Sequence, residues 1–283
     1  MNKIDAVFLD LDGTLLNSKK VVSQKNKQVL MHCMNNGIGV YIVSGRPIFY
    51  VDQIADSIDQ RCSRVAFNGA VYKINGEAFK TNIDIVSLKN LWDSIQKNSI
   101  QKYYLKGVDT VYCSDDDVRF TYEDLENEGK IKVYRNIESF DRIQTDIYKV
   151  LLVDEDDDRL NALKRECDAF VSITSSHVKS FDIMANRVNK GDVVKKICKE
   201  YQYKNTMAFG DDMNDLSMLE VVDYGYAMKN ASKYLLGKTK YMTEYTNEEI
   251  SRLLNTLNTN KVAEIMKFDK SESNYIPRKR VIN

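Results

Sequence analysis

Three short apolar runs constrain this chain more than any other feature: Val7-Phe8-Leu9, Ile38 to Val43 and Met207-Ala208-Phe209. Each is apolar throughout rather than alternating. A strand of that kind is buried on both faces, as in a parallel sheet covered by helices. The segment between the first two runs supplies the crossover. Ser23 is a plausible N-cap, and Val29, Leu30, Cys33 and Met34 form an apolar helical face. Gly37 supplies a stop, so the spacing predicts a helix over 23–36. Strand, helix, strand is the unit of an open α/β fold, and the expected core is Rossmann-like with a parallel sheet.

The βα rhythm continues through a helix opened by Arg46-Pro47 and a short strand at Val65-Ala66-Phe67. Asn75-Gly76 between Tyr72-Lys73-Ile74 and Glu77-Ala78-Phe79 predicts a β-hairpin with a type I′ turn. From Ile83 the texture is mixed. An amphipathic helix is expected over Val86–Ile95 and strands at Tyr103–Leu105, Val111–Cys113 and Ile147–Val153. A helix over Asp157–Cys167 and strands at Phe170–Ile173 and Val178–Met184 follow. This reads as an inserted α+β domain with its own sheet. The rhythm then returns: a helix over Asp192–Glu200, the Met207 strand, a helix over Leu216–Val222, strands at Tyr224–Met228 and Tyr241-Met242, and a last helix over Glu248–Leu257. The expected division is core over 1–82, cap over 83–184, core over 185–261 and a polar C-terminal tail over 262–283, with hinges near Asn82 and Asn186.

The chain has 283 residues, long enough for two ordinary domains, and 41 basic residues against 41 acidic ones. A zero net charge gives no field to draw nucleic acid or an anionic membrane surface, so neither is an expected partner. Arg278-Lys279-Arg280 reads as a solvated terminal cluster. Five scattered cysteines contain no C-x-x-C pair and favour neither a disulfide framework nor a zinc site. With no signal-peptide pattern and no long apolar span, the expected setting is soluble, reducing and cytoplasmic. The sequence leaves the oligomeric state open.

Four fragments carry chemistry: Asp10-Leu11-Asp12-Gly13-Thr14, Ser44-Gly45-Arg46, Lys190-Gly191 and Gly210-Asp211-Asp212-Met213-Asn214-Asp215. Three of them follow an apolar strand directly. The carboxyl ends of parallel strands share one edge of an open α/β sheet, so these distant residues should converge where such folds bind ligands. Converged carboxylates repel and need a cation, and all-oxygen ligation suits Mg²⁺. The Ser44 hydroxyl, the Lys190 ammonium and free N–H groups of glycine turns suit a phosphate dianion. Carboxylates, metal and phosphate cradle together point to phosphoryl transfer, for which an Asp carboxylate can be the nucleophile. The Asp154–Asp158 run suggests a calcium loop, but Arg159 and Arg165 occupy the positions where that loop needs Gly and Glu. A helix N-terminus explains those acids. His32 and His177 lie away from the fragments and read as structural, Trp92 as core, and Asn68-Gly69-Ala70 as a turn that could line the mouth of the site.

The D-x-D-G-T box and the distant G-D-D-x-N-D resemble those of the haloacid dehalogenase superfamily of phosphohydrolases, in its Cof-like subgroup with a type IIB cap. The resemblance spans roughly residues 1–260. It implies Asp10 as nucleophile and metal ligand. It implies Asp12 as general acid/base and a ligand through its carbonyl, Asp211 as metal ligand, and Asp215 as an outer partner. Ser44 with the Gly45 amide, Lys190 and Asn214 would hold phosphate or substrate, Lys190 also acting in catalysis by neutralising charge on the phosphoryl group and on Asp10, while Gly13 and Thr14 shape the turn. Ser44 stands where the family usually has Thr, and Asn186-Arg187 replaces an expected Pro- or Gly-containing turn. The implied activity is a Mg²⁺-dependent phosphatase acting on a small phosphorylated metabolite, a sugar phosphate or a phosphorylated cofactor. A phosphomutase or other phosphotransferase on the same fold, and a non-catalytic phospho-ligand-binding or signalling protein, remain as alternatives.

Overall fold

The computed structural model describes residues 3–115, 123–177 and 179–257. The expected tail, Arg278-Lys279-Arg280 and Val178 lie outside them.

In chain order the core begins with β1 (Ala6–Leu9), α1 (Gln24–Asn35), β2 (Gly39–Val43), α2 (Ile48–Asp56), β3 (Ser63–Ala66), β4 (Val71–Ile74) and β5 (Glu77–Lys80). Ser23 caps α1, its side chain accepting from the Asn26 N–H. Gly37 follows the helix at φ 76°, a conformation that costs a glycine nothing. Asn75 and Gly76 take φ of 50° and 85°, the left-handed pair of a type I′ turn. That turn places Tyr72 opposite Phe79, with the rings stacked 4.8 Å apart.

The inserted region comprises α3 (Ile85–Lys97), β6 (Lys102–Lys106), β7 (Thr110–Cys113), α4 (Glu123–Asn127), β8 (Lys132–Tyr134), β9 (Lys149–Val153), α5 (Asp157–Cys167), β10 (Val171–His177) and β11 (Ser180–Ala185). The chain returns through α6 (Lys190–Glu200), β12 (Thr206–Gly210), α7 (Leu216–Val221), β13 (Tyr224–Ala227), α8 (Lys233–Leu236), β14 (Tyr241–Met242) and α9 (Ile250–Leu257).

Two sheets result. The core sheet runs β14-β13-β12-β1-β2-β3-β4-β5, parallel from β14 to β3, with the β4–β5 hairpin added antiparallel at one edge. The second sheet runs β10-β11-β9-β6-β7-β8 and is antiparallel except between β7 and β8. The fold is therefore α/β, a Rossmann-like core with an inserted α+β layer. Segments 81–84 and 186–189 carry the chain between the two sheets.

Phe8, Ala208 and Val43 lie in one apolar cluster under α6 and α7; Leu9, Phe209 and Ile42 lie in another that includes α1 residues. Both faces of the central strands are thus covered, which is why their sequences do not alternate. Trp92 is buried on α3, edge-on to Tyr103 with centroids 5.3 Å apart. Asp156 caps α5, accepting from the Asp158 and Arg159 N–H groups. All five cysteines are free, and four are buried.

Three expected boundaries shift for local reasons. Pro47 is the N-cap of α2 rather than a residue of its first turn. The third strand ends at Ala66 because Phe67 and Asn68 turn to φ 49° and 54°. The helix expected from Asp192 starts at Lys190 because the Asn189 side chain accepts from the Asp192 N–H and so caps it two residues earlier.

Candidate active site

Parallel register brings the fragments together. Leu9 pairs with Phe209 on one side and with Ile42 on the other. The residues that follow, Asp10, Gly210-Asp211 and Ser44, therefore leave the sheet side by side at its carboxyl edge. The Asp10 N–H donates to the Phe209 carbonyl at 3.1 Å and the Ser44 N–H to the Val65 carbonyl at 2.8 Å, which fixes both chain exits. Asp10 is 5% exposed and Ser44 is 2% exposed.

Lys190 reaches this edge from the first turn of α6 and is fully buried. Its Nζ donates to Asp10 Oδ1 and to Asp215 Oδ1, each at 2.6 Å. Asp215 is fully buried too, and its Oδ2 accepts from the Asp211 N–H at 2.9 Å and the Asp212 N–H at 3.1 Å. Asp215 therefore braces Lys190 and the 211–212 backbone, with both oxygens already engaged. The glycines permit this packing. A Cβ on Gly210 would lie 2.4 Å from the Asp215 Cβ, and one on Gly13, at φ +73°, would lie 2.0 Å from Asp211 Oδ2.

Asp10, Asp211 and Asp215 each place an oxygen within 4.8 Å of the others. Burial, then the mutual repulsion of these carboxylates, pushes the Asp10 and Asp211 carboxyls well above the usual carboxylate range. Lys190 only partly opposes this. Burial disfavours the Lys190 charge, yet Asp10 and Asp215 outweigh it and hold its pKa above the ordinary lysine value. Three carboxylates against one ammonium leave a formal −2. That excess, carried on oxygen donors alone, fits a hard divalent cation such as Mg²⁺. Asp215 already commits both oxygens to Lys190 and the 211–212 backbone, so Asp10 and Asp211 are the side chains that fit it as ligands.

Asp12 sits apart from this cluster. Arg46 Nε donates to its Oδ2 at 2.6 Å, Arg46 Nη2 to its Oδ1 at 2.8 Å, and Lys20 Nζ to its Oδ1 at 2.8 Å. Burial raises the Asp12 pKa, but these partners win and lower it to about 2. Ser44 Oγ accepts from the Arg46 N–H at 3.1 Å, and Arg46 lies over the Tyr50 ring at 5.5 Å. Asn214 Nδ2 donates to Asn68 Oδ1 at 3.3 Å, so the Asn68 turn does line the site. Thr14 is buried beside Gly13 with no hydrogen-bond partner for its hydroxyl.

Three contributors escaped the sequence reading: Lys20, Lys149 and Asp182. Lys149 Nζ crosses from the inserted sheet to the Gly45 carbonyl at 3.1 Å and pairs with Asp182 Oδ2 at 2.6 Å. A signal existed for two of them: Lys149 interrupts the apolar run Ile147–Val153 and opens β9, and Asp182 stands between Phe181 and Ile183 inside β11.

A parallel α/β sheet carrying a buried carboxylate–lysine cluster at its carboxyl edge, under an inserted second sheet, defines a class of hydrolase. The haloacid dehalogenase-like hydrolase family model matches residues 7–251. The chain belongs to that family.

A 5-amino-6-(5-phospho-D-ribitylamino)uracil phosphatase of Bacillus subtilis is 29% identical over 270 residues, covering 86% of this chain and 93% of that protein. Among solved structures, a haloacid dehalogenase-like hydrolase from B. subtilis aligns with a TM-score of 0.74 at 24% identity. The alignment covers 90% of this chain and 99% of the other. A sugar phosphatase of subclass IIB of the superfamily gives a TM-score of 0.71 at 20% identity, covering 90% of this chain and 98% of its own. The last two likenesses concern the fold. Among the described residues, no helix is long and apolar enough to cross a membrane.

Proposed function

We propose that this chain is a Mg²⁺-dependent phosphatase of small phosphorylated metabolites, working through an aspartyl-phosphate on Asp10. The observation that carries the reading is the Asp10–Lys190–Asp215 arrangement, in which one buried ammonium holds the Asp10 carboxylate in place at 2.6 Å. The names of the curated relatives, phosphatases acting on a phosphorylated ribityl compound among them, support the same chemistry.

Asp10 Oδ would attack phosphorus while the leaving oxygen departs to the opposite side. Lys190 would neutralise charge on the nucleophile and on the transferring group. Ser44, the Gly45 N–H and Asn214 would hold the phosphoryl oxygens. Asp12 would protonate the leaving oxygen and then take a proton from the water that attacks phosphorus and frees Asp10. For that role its side chain must leave Arg46 and Lys20, since paired with them it is fully ionised near neutrality. Asp10, Asp211 and the Asp12 carbonyl would hold Mg²⁺, which supplies charge stabilisation to the phosphoryl oxygens when bound. The region over 83–184 would act as the cap, moving on the 81–84 and 186–189 segments and excluding water when closed.

The test is phosphate release from a panel of phosphorylated metabolites, with and without Mg²⁺, beside Asp10→Asn. Release that needs the metal and disappears in the variant supports the reading. A folded, Mg²⁺-binding protein that is silent across the panel refutes it.

A further inference from the structure

All three carbonyls of the Ser44-Gly45-Arg46 turn accept a hydrogen bond. The Asn68 N–H donates to the Ser44 carbonyl at 3.0 Å and the Phe67 N–H to the Arg46 carbonyl at 2.9 Å. Both of those donors belong to the core. The third comes from the inserted sheet: Lys149, the first residue of β9, donates from Nζ to the Gly45 carbonyl at 3.1 Å.

Lys149 does little for its own sheet. It is buried, and it stands directly opposite Lys106 of β6, a pairing of like charges that is unfavourable by itself. Asp182 Oδ2 answers its charge at 2.6 Å, and the same oxygen accepts from Asn68 Nδ2 at 2.9 Å. A buried ion pair is often no better for a fold than apolar side chains of similar volume. What this pair supplies is direction. Asp182, fastened to the core by Asn68, aims the ammonium out of β9 at Gly45.

The consequence runs through one peptide plane. The Gly45 carbonyl and the Arg46 N–H belong to the same planar unit, so fixing one fixes the other. That N–H donates to Ser44 Oγ at 3.1 Å. With a donor already on its oxygen, the Ser44 hydroxyl is left to give its own hydrogen to an acceptor such as a phosphoryl oxygen. Gly45 has no side chain to hold the plane, and none fits, because a Cβ there would lie 2.9 Å from Asn68 Oδ1.

We infer that Lys149, aimed by Asp182, is a positioning residue for phosphate: from the inserted sheet it locks the Gly45–Arg46 peptide and thereby orients the Ser44 hydroxyl. The inference rests on the assignment of Ser44 to the phosphoryl group in the phosphatase reading above. It makes the phosphate cradle a joint product of the two sheets, since its last fastening is carried by the inserted one.

The test is calorimetric titration of the Mg²⁺-loaded protein with inorganic phosphate, beside titration of the phosphate-free protein with Mg²⁺. Lys149→Met should weaken phosphate binding about 10-fold, the order of one charge-assisted hydrogen bond, and leave Mg²⁺ affinity within about twofold. Lys149→Met,Asp182→Asn removes both buried charges and keeps an acceptor for Asn68, so it gives the same reading should the single variant not fold. In a Ser44→Ala background Lys149→Met should cost less than about twofold, because the hydroxyl it acts through is gone. Unchanged phosphate affinity in both Lys149 variants overturns the inference. So does an equal loss of phosphate and Mg²⁺ affinity, the mark of a merely structural role, or a full further loss in the Ser44→Ala background. A wild-type protein that binds no phosphate overturns it as well. Wild type that binds phosphate but hydrolyses no phosphomonoester removes the phosphatase reading alone, and the role of Lys149 is then supported by the variants' phosphate titrations.

Discussion

Replacing Lys190 by Met removes the one ammonium that serves two buried carboxylates. Lys190 and Asp215 are fully buried and Asp10 nearly so, and both contacts are 2.6 Å long. Breaking a buried pair by deleting one partner costs about 3–5 kcal/mol, because the other charge is left unpaired. Here two are left, with Asp211 close by to repel them. The upper end of that range is expected, a large share of the roughly 5–15 kcal/mol that holds a typical domain folded. The loss has a pH signature. Without Lys190 the folded state must take up an additional proton on the cluster, and the unfolded chain does not. The deficit should therefore narrow by up to about 1.4 kcal/mol for each pH unit lowered from 8. Urea unfolding of wild type and Lys190→Met, both with chelator, at pH 8 and pH 6 reads both quantities. Lys190→Arg should not rescue, since the larger planar group does not fit a slot with no exposure. A loss below about 1 kcal/mol, or one that is the same at both pH values, would refute the reasoning.

Other consequences follow from the same cluster. Asp10 and Asp211 have raised folded-state pKa values, so the metal-free protein is most stable while they are protonated and loses stability as pH climbs past about 4. Mg²⁺ should consequently raise Tm more at pH 8 than at pH 6, and a larger shift at the lower pH would contradict this. Asp211→Asn removes one of the repelling carboxylates; by urea unfolding in chelator at pH 8 it should gain about 1 kcal/mol or more while losing the Mg²⁺-induced Tm rise. Gly13→Ala puts a Cβ 2.0 Å from Asp211 Oδ2 at a φ of +73°. Steady-state assays should show at least a 100-fold drop in kcat/KM for Gly13→Ala, and wild-type activity in that variant would show that Asp211 need not stay where it is.

The sequence made the parallel strands legible because burial on both faces writes itself as unbroken apolar runs, as in Val7–Leu9 and Met207–Phe209. Helices with a capping side chain were also readable: the ends of α5 match the expected Asp157 and Cys167, and Ser23 caps α1. Three short elements were not. The α4, β8 and α8 segments, of five, three and four residues, carry too few positions for any period to show, and none was anticipated. The carboxylates of the cluster could be foreseen because Asp10 and Gly210-Asp211 stand at the ends of core strands that the sheet forces to one edge, whereas Lys190 enters from the first turn of α6. The Arg46–Asp12 pairing could not, since it depends on where a long side chain points after a turn. Asp182 and Lys149 were visible only as interruptions in apolar strands, and their meeting with Gly45 and Asn68 depends on how the inserted sheet lies over the core.

The central claim is that Asp10 carries the phosphoryl group during turnover. The most direct measurement is intact-protein and peptide mass spectrometry of Asp12→Asn, acid-quenched after mixing with substrate and Mg²⁺. The substrate is p-nitrophenyl phosphate, whose leaving group departs without a proton, so that Asp12→Asn keeps the turn and blocks only the activation of the water that frees Asp10. The account predicts a phosphoryl group on Asp10 that is removed by hydroxylamine and absent from Asp10→Asn,Asp12→Asn. Turnover by Asp12→Asn at the wild-type rate, or a phosphoryl group found on any residue other than Asp10, would contradict it.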